Sequence, residues 1–317
     1  MKKIVTILLA LTMLSTVLVG CTSGGNGGSA QEPAENVSAA EPLENDNAPA
    51  AARYTETKVD LGIGYVQVYD FGDIRLHAYK TNDVLDDECF LLESGTELVA
   101  LEAPGFKDNI SEYTAYIASL DKPLHNVLLA YHPAGAETLG DSVHYLATAG
   151  AQAAQQAGGS VKGLTVGFVE SFGDSYDGTI PEVTDILTAG AVNIGGIDFV
   201  ITEGVDGFDV TIPAINVVFT HMVGQDVHNI MPSVEAMEAL AAQMQSYIDA
   251  DYTLILSSHY VPETTQAAQT KLAYVQKMQE LAAAHDNAAD FIQAVNEAFP
   301  NYSGANYLEM TAAGFYQ

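Results

Sequence analysis

Val127-Leu128-Leu129-Ala130-Tyr131-His132-Pro133-Ala134-Gly135-Ala136-Glu137 is the stretch on which the reading of this chain turns. From His125 to Tyr131 the apolar side chains are almost continuous, the pattern of a short strand covered on both faces. The run empties into a loop broken by Pro133 and Gly135 that carries one imidazole and one carboxylate. Loops leaving buried strands are where binding groups collect, so what surrounds this strand sets the chemistry open to His132.

Upstream, segments 64–69, 74–79, 88–92 and 98–101 are short, rich in β-branched and aromatic residues, and separated by Gly, Asn and Asp. They are expected to be consecutive strands. Residues 109–120 place Ile110, Tyr113, Ile117 and Leu120 at helical spacing. Downstream, a helix is expected over 139–157, then strands near 164–169, 199–202, 209–212 and 217–220. Pro232-Ser233 opens a helix with Ser233 as its cap and Met237, Leu240, Met244 and Ile248 on one face. A strand at 254–256 and helices at 265–284 and 288–298 complete the list. Strands in runs at both ends with helices interleaved predict an α/β (α+β) fold, a four-layer αββα sandwich of two mixed sheets covered by helices.

These residues resemble the metallo-β-lactamase-fold superfamily over nearly all of 53–317. Cys89 to Leu92 with Leu98-Val99-Ala100-Leu101-Glu102-Ala103-Pro104-Gly105 resembles the early hairpin that ends in an Asp-Thr-Gly or Asp-Thr-Pro turn, with Glu102 in the Asp place. Val127 to His132 resembles the strand entering the H-x-H-x-D-H signature. Val217-Val218-Phe219-Thr220-His221, with His228 downstream, resembles the strand bearing the bridging Asp. Leu254-Ile255-Leu256-Ser257-Ser258-His259 resembles the strand and loop bearing the last ligand His.

Residue by residue, the signature becomes His132-Pro133-Ala134-Gly135-Ala136-Glu137, which keeps only its first His. Ala134 and Ala136 cannot coordinate, and Glu137 takes the final His place. The resemblance puts the next ligand near Glu203, replaces the bridging Asp by His221 and retains His259. Two readings stand. In one, His132, Glu137, Glu203, His221 and His259 converge and hold one zinc ion, because all are competent ligand types, making a hydrolase of an ester, thioester or amide. In the preferred one the metal site is eroded, no resident cofactor is expected, and the domain binds a small-molecule ligand or acts as an accessory protein. Glu102, Asp226, His228 and Tyr260 are assigned to the pocket. Asp226 and His228 share a Gly-containing loop after a strand with His221, and Tyr260 follows His259. His77, His125, His144 and His285 are read as surface or core imidazoles.

The N-terminus carries a separate message. Lys2 and Lys3 precede an apolar run over 4–19 that ends in Gly20-Cys21, the order of a secretory signal. The run is short for a bilayer span of about 20 residues. A small residue directly before Cys resembles a lipobox, which implies cleavage after residue 20, acylation of Cys21 and a lipid-anchored, extracytoplasmic protein at the cell membrane or outer membrane. Residues 21–52 are a Gly-, Ser-, Ala-, Glu- and Pro-rich tether with too few bulky apolar side chains to fold, and 53–317 form one domain. With the signal removed, 11 minus 2 basic residues face 41 acidic ones, a formal charge of −32. Such a surface repels polyanions, so no nucleic acid partner is expected. Cys89 is then the sole remaining thiol, lying in an apolar run and read as buried and inert. Gly62-Ile63-Gly64 and Gly195-Gly196 lack phosphate-loop spacing, and no Ser sits in a G-x-S-x-G elbow.

Overall fold

Eight short strands laid side by side in chain order make up the first sheet of the computed structural model, which describes residues 53–140 and 142–316. The signal at 1–20, Cys21 and the tether at 21–52 lie outside the described residues. The strands are β1 (Thr55–Asp60), β2 (Tyr65–Asp70), β3 (Arg75–Lys80), β4 (Glu88–Glu93), β5 (Leu98–Leu101), β6 (Leu124–Leu128), β7 (His144–Thr148) and β8 (Asp185–Leu187). Neighbours run antiparallel as far as β5 and parallel from β5 to β8. The second sheet has the order β13-β12-β11-β10-β9, from β9 (Gly190–Ile194), β10 (Ile197–Glu203), β11 (Phe208–Ile212), β12 (Val217–Thr220) and β13 (Leu254–Ser257). Only β12 and β13 pair in parallel there. Parallel neighbours need a crossover, and helices supply it: α1 (Lys107–Ser119) between β5 and β6, and α4 (Val234–Asp249) between β12 and β13.

The sheets face each other across one large apolar core. Phe90, Leu92, Val99 and Leu101 come from the first sheet, and Phe199, Phe208, Val210 and Phe219 from the second; all are buried in one cluster. The Phe90 and Phe219 rings meet edge to face at 5.8 Å. All six residues of β4 are buried, because α1 covers the other face of its sheet. There Tyr113 of α1 stacks on Tyr79 at 4.9 Å. Outside the second sheet, Val218 and Ile255 pack under Met244 and Tyr247 of α4 and Ala268 of α5 (Thr265–Ala284). Tyr274, Phe291 and Leu308 join α5, α6 (Ala288–Ala298) and α7 (Ala305–Phe315) into a further apolar cluster. The layers run helix, sheet, sheet, helix, the expected α/β sandwich.

Two expectations need correction. Residues 139–157 are not one helix but β7 followed by α2 (Ala149–Gln155), with Thr148 Oγ1 accepting from Ala151 N as the cap. The parallel ladders to β6 and β8 hold His144 to Thr148 extended, overriding local helical spacing. Residues 164–169 are not a strand but part of α3 (Ser160–Phe172). With β8 paired beside β7, this β-branched segment has no ladder to join and satisfies its backbone internally. Besides β7, three strands were not anticipated: β1, exposed along most of its length, and the short β8 and β9. His144 is consequently an exposed strand residue beside Asp185 Oδ2 at 3.0 Å, not a helical one.

Candidate metal centre

Three loops deliver the site. The loop after β6 is shaped by Glu102, which lies just beyond β5 with a left-handed φ of +67°, a conformation unusual for a side chain with Cβ and typical of functional turns. Its Oε1 accepts from Tyr131 N at 2.7 Å and from His132 N at 2.9 Å, bending the chain as it leaves the sheet. Gly135 turns the loop away with φ +81°; a Cβ there would stand 2.4 Å from the Pro104 carbonyl oxygen. His221 and His259 follow β12 and β13. Thr220 and Ser257 are opposite in the parallel register, and Ser258 N donates to His221 O at 3.0 Å. The two imidazoles therefore leave the same sheet edge together.

The ligand-capable atoms of His132, His221 and His259 all lie within 4.8 Å of one another. His132 Nε2 and His221 Nε2 are 3.3 Å apart. Two nitrogen ligands of a tetrahedral zinc, each about 2.0–2.1 Å from the ion, stand roughly 3.3–3.4 Å apart. Tyr131 stacks on His221 at 4.8 Å and 16°, and its hydroxyl donates to Asp209 Oδ1 at 2.7 Å. Asp209 Oδ2 in turn accepts from Gln243 at 3.2 Å. Asp87, contributed by the loop between β3 and β4, brings Oδ1 to 3.1 Å from His259 Nδ1 and 3.8 Å from His132 Nδ1. Burial drives the Asp87 pKa upward, but the His259 contact and the charges of His132, His259 and Lys80 outweigh it, so the carboxyl titrates below its usual range. Burial likewise works against protonated His259, yet Asp87 raises that imidazole overall. His221 goes the other way: burial, then the charges of His132 and His259, push it well down, keeping it neutral with a free lone pair.

The other candidates are placed elsewhere. Glu137 is exposed in the short 3-10 turn over Ala136–Thr138, carried outward by the Gly135 turn, and Glu203 is exposed where β10 ends. Among the described residues, the metal-competent group contains neither. Asp226 is exposed, its carbonyl accepting from Ser303 N. His228 is buried on the other side of its loop, Nδ1 at 3.0 Å from Tyr274 Oη. Tyr260 borders the centre, 6.4 Å from the His259 ring. His77 is a core residue between Glu93 Oε2 at 3.0 Å and Tyr116 Oη at 2.7 Å. Cys89 is buried and its thiol pushed far up. Asp87, Tyr131 and Asp209 were not anticipated. No spacing in the chain connects Asp87 to His259, more than a hundred residues away.

Solved structures similar to this chain share its two-sheet architecture. A metallo-beta-lactamase family protein from Thermus thermophilus matches with TM-score 0.53 and 14% identity over 77% of this chain and 91% of that one. The chain has the metallo-β-lactamase fold. The stereoselective inverting sec-alkylsulfatase Pisa1 from Pseudomonas sp. also matches, with TM-score 0.53 and 13% identity over 76% of this chain. The chain spans about half of that protein, 49% of its length. No protein-family model matches the sequence, and no curated protein is similar to it.

The residues present fit one ion of the kind the metallo-β-lactamase fold implies. Three imidazoles are competent ligands for zinc, and Asp87 Oδ1 and Glu102 Oε2 are buried beside them without an aligned donor. Ala134 and Ala136, at the second His and the Asp positions of the signature, carry no donor atoms and are packed away from solvent.

Proposed function

We infer that this domain is a single-ion, metal-dependent hydrolase of an ester, thioester or amide, displayed outside the cytoplasm by a lipid anchor on Cys21. The observation that carries the catalytic half is the convergence of His132, His221 and His259, with two Nε2 atoms at tetrahedral-edge distance. An ion held there supplies Lewis acidity, polarising a carbonyl and making water nucleophilic near neutral pH. The chain's own residues do the rest. Glu102 fixes the backbone that presents His132, Tyr131 supports the ring of His221 from one face, and Asp87 holds His259. His132 and His259 remain about a fifth exposed, at 21% and 20%, so the centre opens to solvent and to substrate. The acidic surface favours a neutral or cationic substrate over a polyanion.

The eroded reading keeps one observation in its favour: the motif positions Ala134 and Ala136 carry no ligand atoms. On that reading the domain is an accessory or small-molecule-binding protein of the cell envelope. Elemental analysis of the purified full chain separates the two. One equivalent of zinc is expected, lost in both His221→Ala and His259→Ala, together with any hydrolysis of chromogenic esters and thioesters. A chain that takes up no metal from zinc-replete buffer would return the assignment to the accessory reading.

A further inference from the structure

We propose that Asp87 is the shared positioning carboxylate of the centre, engaging the Nδ1 side of both His259 and His132 and so turning their Nε2 atoms inward; this rests on the single-ion reading above. Asp87 is 5% exposed, and its Oδ1 lies 3.1 Å from one Nδ1 and 3.8 Å from the other. The oxygen has no aligned donor, so it is poised next to two rings and fully satisfied by neither. The far nitrogen of His132 shows the consequence: with Nδ1 toward Asp87, Nε2 faces His221 Nε2 at 3.3 Å.

Glu102 Oε2 also stands 3.7 Å from His132 Nδ1. Its other oxygen is committed to the backbone of Tyr131 and His132, so Glu102 sets the loop. Asp87 is the carboxylate within reach of two of the three imidazoles. It takes over the neighbourhood of the centre from a part of the chain unrelated to the motif, whose expected Asp position is the fully buried Ala136.

The hairpin loop is built to hold Asp87 still. Thr81 N and Thr81 Oγ1 both donate to the Asp87 carbonyl, at 3.2 and 2.8 Å. Asp83 Oδ1 accepts from Leu85 N at 2.8 Å. Glu88 N donates to Ser258 O at 2.7 Å, and Lys80 Nζ donates to Asp86 O at 2.6 Å and His259 O at 2.9 Å. The Asp87 loop and the His259 loop are thus stitched together on both sides of the contact. A carboxylate accepting from Nδ1–H fixes the tautomer and orientation of a ligating imidazole, and losing such a partner typically weakens metal binding about 10- to 100-fold.

The test is a chelator-competition titration of zinc into the full chain, with cobalt(II) absorption as a second readout. Asp87→Asn, nearly isosteric, is expected to weaken zinc about 10- to 100-fold and to alter the cobalt(II) band, while Asp87→Glu recovers part of the affinity. The unfolding midpoint of each metal-free variant reports whether the fold survives. Zinc affinity and cobalt spectrum unchanged in Asp87→Asn would overturn the role of Asp87 alone. Affinity that falls only in step with metal-free stability, with no rescue by Glu, would reduce Asp87 to a structural residue and overturn it too. A wild-type chain that binds no zinc would overturn both this and the single-ion reading.

Discussion

Among single residues, Lys271 of α5 is a costly burial outside the centre, with no solvent exposure. Its ammonium donates to Val227 O at 2.5 Å and Asn229 Oδ1 at 2.7 Å and lies 4.8 Å over the Tyr274 ring. No carboxylate stands within ion-pair distance among the described residues. Burial lowers its pKa from 10.5 to about 7, with Glu263 and Asp226 opposing the shift. Between those values the unfolded chain binds a proton that the folded chain does not, so stability rises with pH across the window. Below it both states are protonated and the folded state bears the full desolvation cost, on the order of a few kcal/mol. Urea unfolding of wild type and Lys271→Met across pH 7 to 10.5 should therefore show a stability rise in wild type that the variant lacks. Parallel curves would mean that the ammonium is not desolvated as the structure implies.

At the level of elements, the turn between β10 and β11 is tied to the candidate metal centre through a missing side chain. Gly207 packs directly against Tyr131: a Cβ would stand 2.4 Å from two carbons of the Tyr131 ring and 2.7 Å from Ala130 O. Tyr131 cannot easily yield, being bonded to Asp209 and stacked on His221. Gly207→Ala is accordingly expected to lower stability by about 1–3 kcal/mol, the usual cost of overpacking, and to weaken zinc binding by displacing the support under His221. Measuring both on one preparation checks the link, since a stability loss with zinc affinity intact would uncouple the turn from the centre. The same logic explains why the loop after β12 holds its shape. Glu263 accepts from Gly224 N at 3.1 Å and Gln225 N at 3.0 Å, while Lys271 grips the loop further along.

For the molecule as a whole, the proposed anchor sets where the centre works. Among the described residues no helix is long and apolar enough to cross a membrane, and the proposed attachment is through Cys21. Two signals are generally needed for stable anchoring, and the diacylated cysteine of a lipobox would provide them. In cells fed a fatty-acid analogue, the chain is expected to carry the label in the membrane fraction, and Cys21→Ser to lose it; label persisting in that variant would remove the anchor. Much of the sandwich could be read without coordinates, because strand and helix periods are local: residues 265–284 and 288–298 become α5 and α6 with the expected bounds, and Ser233 caps α4 through Ala236 N. Where local signals conflicted with pairing the pairing decided: at 139–157 the ladders hold β7 extended, and at 164–169 a segment without a ladder is helical. His132, His221 and His259 were likewise legible, since each lies within a few residues of an apolar run at a strand end. Three-dimensional packing alone places Glu137 and Glu203 outside the imidazole cluster and sets Asp87, Tyr131 and Asp209 beside it, because such a cluster depends on distances across space, and separations along the chain do not encode them.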